Sequence, residues 1–208
     1  MTETSQISQA ITSISSQSKQ ISGKRLPADA ALLIVDLQNA IDHPEWSQRD
    51  NPEAAANVAR LLAAWRATGR PVVHVQHLSR EPDSPYRPGQ PGCDFKDQVR
   101  PRAGECVVQK STNNAFIDTG LGPFLDDRGI DTLVVTGVFT NNSVEVTVRM
   151  AGNLGYRTYL VADATATVGR TDLDGRHWTA EEVQALTLAN LHGEYATVTD
   201  AGAVLAAL

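Results

Sequence analysis

The run Ala31–Val35 (ALLIV) constrains the fold of this chain more than any other stretch. Five apolar residues in a row leave no polar face. Such a strand is stable when both faces are covered, as in a parallel sheet with helices on either side. Short runs of similar kind recur at Val72–Val75, Cys106–Gln109, Thr132–Thr136, Tyr156–Val161 and Ala196–Val198. Between them lie helical patterns. Pro52–Thr68 carries Ala55, Val58, Leu61, Leu62 and Trp65 on one stripe, and Gly69 ends it. Leu121–Arg128, Ser143–Leu154, Ala180–Leu191 and Ala201–Leu208 read as further helices. Alternation of strand and helix predicts an α/β fold, a three-layer, doubly wound and mostly parallel sheet of about six strands flanked by helices.

At 208 residues the chain suits one domain, expected over 25–208, with no internal repeat. A net charge of −6 argues against whole-chain attraction to nucleic acid or an anionic membrane. No apolar run approaches the ~20 residues of a membrane span. Two cysteines, Cys93 and Cys106, are too few for a disulfide framework. Without an apolar signal core near Met1, the expected location is the cytoplasm. Residues 1–24 hold seven serines and four glutamines, the composition of a disordered tail. Ile7, Ala10, Ile11, Ile14 and Ile21 nevertheless fall near helical spacing, so a disordered and a helical arm both stay open.

In doubly wound folds ligands bind beyond the carboxyl ends of the strands. Asp36 follows the first strand (IVDLQN), Lys110 the third (VVQKSTNNAF), and Ser143 opens the helix after the fourth (GVFTNNSVEVT). A carboxylate, an ammonium and a hydroxyl should therefore meet at one edge of the sheet. Each alone reads equally as a cap or an ion pair. Their joint placement at strand ends marks a site.

Those motifs resemble the isochorismatase-like hydrolases, also called the cysteine hydrolase superfamily, from about Ala30 to Val198. Asp36, Leu37, Gln38 and Asn39 match an apolar strand followed by Asp-x-Gln-Asn. Lys110 and Phe116 match the lysine motif. Gly137, Thr140, Val144 and Thr147 match Gly-x-x-Thr-x-x-Cys-Val-x-x-Thr, with Ser143 at the cysteine position. The resemblance implies an Asp36–Lys110–Ser143 constellation, oxyanion donors at the Phe139 and Ser143 amides, a cis peptide at Val138–Phe139, and a dimer or tetramer.

In the cysteine members a thiolate attacks an amide carbonyl, an aspartate shuttles the proton, and water cleaves the acyl-enzyme. Serine shifts that balance, because a hydroxyl is a far weaker acid than a thiol and needs a positioned base, for which Asp36 is the evident candidate. Three readings stay open. Ser143 is an engineered Cys-to-Ser exchange in an amidohydrolase; or serine is native and the protein remains a hydrolase; or the scaffold is a non-catalytic binding or assembly protein. In the second case the site uses Ser143, or uses Asp36 as the acid that protonates a vinyl ether, as true isochorismatases do. Thr140 favours the amidase type of loop, and hydrolysis of a small amide or related C–N bond is the expected activity.

Secondary candidates surround this trio. Gln38, Phe116, His77, Tyr86 and Arg87 are candidate substrate contacts, the last two on a loop (SPYRPGQ) within the proline-rich stretch 79–92. His74 and His77 are three apart on a strand and should face opposite sides. The family's zinc enzymes bind metal through Asp-x-His, and Asp42-His43 lacks the spacer. No metal and no cofactor is therefore expected. Trp46 reads as a half-buried structural residue or a pocket wall, Asn141 and Asn142 as helix caps, Cys106 as a buried small hydrophobe, and Val168–Trp178 as an exposed connection.

Overall fold

A computed structural model describes residues 25–46 and 48–208. The candidate arm over 1–24 lies outside the described residues. The strands are β1 (Ala31–Val35), β2 (Val72–His77), β3 (Cys106–Lys110), β4 (Thr132–Val138), β5 (Arg157–Ala166), the two-residue β6 (Arg170–Thr171) and β7 (His177–Trp178), and β8 (Thr197–Thr199). The helices are α1 (Ala54–Thr68), α2 (Leu121–Asp126), α3 (Glu145–Asn153), α4 (Ala180–Leu191) and α5 (Ala201–Ala206). Six strands form one sheet in the order β3-β2-β1-β4-β5-β8, and every neighbouring pair is parallel.

Burial follows from the apolar runs. All five residues of β1 are buried, and successive side chains enter opposite layers. Leu32 and Ile34 meet Val58, Leu61, Leu62 and Trp65 of α1 and Val204 of α5. Leu33 and Val35 meet Leu121 and Leu125 of α2, Val148 and Ala151 of α3, and Leu188 and Leu191 of α4. Trp65 fixes α1 to the sheet through its indole N–H, which donates to Ala30 O at 2.9 Å. Gly69 then stops α1 in a left-handed conformation, φ 68°.

The order of the sheet decides where a ligand can enter. The chain winds outward through β1, β2 and β3, then returns to place β4 on the other side of β1. The β1–β4 junction is thus the topological switch point, where a crevice opens at the carboxyl ends. Gly137 makes the junction tight. Its φ is 118°, and a Cβ there would lie 2.0 Å from Val35 O. No side chain fits, so β1 and β4 deliver Asp36 and the turn bearing Ser143 close together.

Several expectations change in detail. β5 runs five residues beyond Val161, because after an irregular stretch it pairs with β4 again at Gly137–Thr165 and Val138–Ala166. The segment 168–178 is not a plain connection: β6 and β7 form an antiparallel pair, and Trp178 Nε1 donates to Asp172 Oδ2 at 2.8 Å. Cys106 is only half-buried, since β3 is an edge strand. The helix expected at Ser143–Leu154 is α3 preceded by a distorted turn, Thr140–Val144, in which Asn142 is non-helical (φ −133°, ψ −106°). Among the described residues no helix is long and apolar enough to cross a membrane.

Candidate active site

Asp36 is the first residue past β1, with φ 52°. That left-handed conformation is tolerated better by Asp than by most residues. It turns the carboxyl toward the switch-point crevice. Lys110 ends β3 and reaches across the end of β2. Ser143 comes from the distorted turn after β4, in the stretch that follows the cis Val138–Phe139 peptide. Asp36, Lys110 and Ser143 are only 3%, 3% and 5% exposed, so all three polar groups have left water.

The geometry organises them around one nitrogen. Lys110 Nζ donates to Asp36 Oδ2 at 2.7 Å, to Thr112 O at 3.0 Å and to Ser143 Oγ at 3.2 Å. An ammonium has three N–H donors, and these acceptors use them all. His77 Nδ1 is a fourth neighbour at 3.4 Å. Asp36 Oδ1 is buried without a hydrogen-bond partner among the described residues. Burial pushes the Asp36 carboxyl above the ordinary range, and the Lys110 charge opposes the rise. Burial likewise pushes Lys110 down against the pull of Asp36. The pair thus holds an acid and a base drawn closer in proton affinity than they are in water, the condition for moving a proton between substrate and site.

A cavity of about 150 Å³ opens onto this group. It is lined by Asp36, Ser143, Val138, Phe139, His77 and Tyr86, with Trp46, Ser84, Asn113 and Asn142 completing it. Trp46 and Phe139 meet edge to face at 5.2 Å, and His77 and Tyr86 at 5.6 Å. Burial lowers the His77 pKa and raises that of Tyr86 well above its ordinary value, so both are neutral near pH 7.

Of the expected residues, the structure brings Asp36, Lys110, Ser143, Phe139, His77 and Tyr86 together. Three others it does not. Gln38 is fully buried behind the crevice. Its Nε2 donates to His77 O (3.0 Å) and Cys93 O (2.8 Å), and its Oε1 accepts from His77 N (2.8 Å). That makes it a brace joining the ends of β1 and β2 rather than a substrate contact. Phe116 stacks on Tyr156 at 5.7 Å, outside the cavity lining. Arg87 is exposed and donates to Pro82 O, also outside the lining. Cys93 is buried, and burial raises its thiol pKa. His74 and His77 do face opposite ways. His74 Nε2 pairs with Glu105 Oε2 at 2.8 Å, where Glu105, though partly desolvated, is held down to about 2 chiefly by its bonds with Arg66. Among the described residues no three His, Cys, Asp or Glu side chains group to hold a metal.

The sequence reading missed Asn113, Ser84 and the acceptor Thr112 O. Asn113 lies three residues past Lys110, a position at which loop residues after a strand commonly reach the same crevice. Asn141 and Asn142 divide their tasks. Asn142 lines the cavity, while Asn141 Oδ1 accepts from Thr167 Oγ1 at 2.6 Å. Thr167 N in turn donates to Asp50 Oδ1 at 2.7 Å, and burial raises that carboxyl to about 6. The turn that bears Ser143 is thereby tied to the loop that follows Trp46.

The parallel α/β sheet has close counterparts. A family model of the isochorismatase domain matches residues 30–201. The crystal structure of a hydrolase of the isochorismatase family from Chromobacterium violaceum superposes with TM-score 0.86 at 50% identity, over 88% of this chain and 95% of that one. Streptothricin hydrolase of Streptomyces noursei is 40% identical over 140 residues, 66% of this chain and 49% of that protein. Ureidoacrylate amidohydrolase of Pseudomonas syringae is 30% identical over 178 residues, 69% of this chain and 73% of that protein. The chain belongs to the isochorismatase family and is a hydrolase of that family.

Proposed function

We propose that this hydrolase cleaves a small amide or related C–N bond, with Ser143 as nucleophile. The observation that carries the reading is the single Lys110 ammonium donating to both Asp36 and Ser143, beside an Asp36 oxygen left free. Ser143 Oγ attacks the substrate carbonyl as Asp36 Oδ1 takes the hydroxyl proton. A carboxylate raised by burial is a stronger base than one in water. Lys110 stays charged and stabilises the developing alkoxide. The amides of Phe139 and Ser143 are the assigned donors to the carbonyl oxygen. Asp36 then returns its proton to the leaving nitrogen, the C–N bond breaks, and an acyl-serine remains. Water attacks that ester with Asp36 again as base, releasing the acid and restoring the hydroxyl.

The similarity to an amidohydrolase supports the choice of bond. One observation favours a second reading. An Asp36 carboxyl raised by burial is also suited to protonate a vinyl ether without any nucleophile. Ammonia release from a panel of primary amides, measured beside pyruvate release from isochorismate, separates the two. The expected result is ammonia from the protein as it stands, with a rate at least tenfold higher in Ser143→Cys. A thiol beside an ammonium at the start of a helix ionises far more readily than a hydroxyl. No ammonia from either form, with isochorismate cleaved, overturns the amide reading.

A further inference from the structure

We infer that Thr167 is a positioning residue for Ser143: its hydroxyl, just past the end of β5, holds the turn that brings Ser143 Oγ to Lys110. The inference rests on Ser143 being the reacting group, as proposed above, and adds what sets its place. The turn Thr140–Val144 is not held as a regular helical turn is, because Asn142 lies outside helical geometry. Among the described residues two side-chain hydrogen bonds leave it. Lys110 Nζ donates to Ser143 Oγ at 3.2 Å, and Thr167 Oγ1 donates to Asn141 Oδ1 at 2.6 Å. The first is the contact the chemistry needs; the second anchors the turn to another element. That anchor is rigid. The far part of β5 returns to β4 at Gly137–Thr165 and Val138–Ala166, so Thr167 is the next residue beyond a paired strand end, and it is fully buried. Asp50 clamps its backbone at two points: Asp50 Oδ1 accepts from Thr167 N at 2.7 Å, and Asp50 N donates to Thr167 O at 3.3 Å. Asn51 Nδ2 donates to Asp163 O at 2.9 Å and to Thr165 O at 3.0 Å, which braces the same stretch. A reacting group is only as well placed as the residues that lock it. With the hydroxyl gone Asn141 loses its tie, and a displacement of ~1 Å at Ser143 is enough to cost about a hundredfold in rate.

The thiol of Ser143→Cys reports on that placement without any substrate turnover. A thiol beside an ammonium ionises at lower pH than the ordinary ~8.5. Its alkylation by iodoacetamide is followed on the full chain from pH 5 to 10, with peptide mass analysis to separate it from Cys93 and Cys106. Adding Thr167→Val keeps the branched shape and removes the hydroxyl. It should raise the midpoint of alkylation by about half a pH unit or more, as the thiol leaves Lys110. Adding Thr167→Ser instead should keep the midpoint within about 0.2 of its value in Ser143→Cys alone. Asn141→Ala, at a half-buried position, removes the acceptor and should give the same rise, with nothing further when combined with Thr167→Val. Loss of stability alone leaves that midpoint where it is. With Ser143 in place, Thr167→Val should lower kcat on a cleaved amide at least tenfold and leave KM within threefold. A midpoint unmoved in either Thr167→Val or Asn141→Ala overturns the inference, and if Thr167→Val does not fold, Asn141→Ala decides alone. A rise that Thr167→Ser shares also overturns it, because packing rather than the hydroxyl then carries the effect. So does undiminished kcat in Thr167→Val. Because alkylation needs no hydrolysis, the two readings separate. The expected rise without cleavage of any amide keeps the positioning role and removes the amide chemistry. Amide cleavage with kcat and midpoint unmoved does the reverse.

Discussion

Asp36→Asn should lower kcat on any amide the protein cleaves by about a hundred- to ten-thousand-fold, the usual contribution of a positioned acid–base group. KM should change little for an uncharged substrate, because the substitution preserves the shape of the wall. Asn keeps an oxygen for the Lys110 bond at 2.7 Å but cannot take the Ser143 proton. The pH profile of the unaltered enzyme carries a second signature. In the proposed mechanism Asp36 acts as base only when ionised, and burial raises its pKa. The acid limb of kcat should therefore lie above the 3.8 of an ordinary aspartate. Burial lowers Lys110, so the alkaline limb should lie below 10.5. Steady-state kinetics from pH 4 to 10 measure both; an Asp36→Asn enzyme with full kcat would remove Asp36 from the chemistry.

Lys110→Met should have the largest effect on stability, about 3–5 kcal/mol, the usual cost of leaving one member of a buried pair without its partner. The loss has a defined pH sense. Without Lys110 the Asp36 carboxyl rises further above its unfolded value, so the folded state binds a proton that the unfolded chain releases. Stability then falls as pH rises from about 3.8 through the raised folded value. Denaturant unfolding should show a larger deficit at pH 8 than at pH 5. The double variant Asp36→Asn, Lys110→Met buries no charge and should recover most of the stability while remaining inactive. If the single variant is as stable as the parent at pH 8, the pair does not carry the charge assigned to it.

The sequence revealed the parts of this site that depend on local order. Asp36 directly follows an apolar run, Lys110 ends β3, and Ser143 lies in the turn between β4 and α3, and in a parallel sheet all such positions share an edge. Strand existence was legible for the same reason: continuous runs such as ALLIV admit few alternatives. What stayed hidden depends on distant contacts. Gln38 looks like a polar residue beside an acid, and only the pairing of β1 with β2 turns it onto the His77 backbone. Arg87 is in a loop that does contribute Ser84 and Tyr86, yet its own side chain turns outward. Phe116 follows the lysine motif but packs on Tyr156, far along the chain. The kink at Asn142 and the β6–β7 pair rest on backbone geometry that no periodicity encodes.

In the proposed mechanism Ser143 forms the covalent link to substrate. The most direct measurement is rapid acid quench of the enzyme during turnover of a cleaved amide, followed by peptide mass analysis, with Ser143→Ala run in parallel. An acyl group is expected on the peptide that contains Ser143. Ser143→Ala should lose at least a thousandfold of turnover and show no adduct. Undiminished turnover by Ser143→Ala, with no adduct on the parent enzyme, would contradict it and leave Asp36 acting on substrate or water directly.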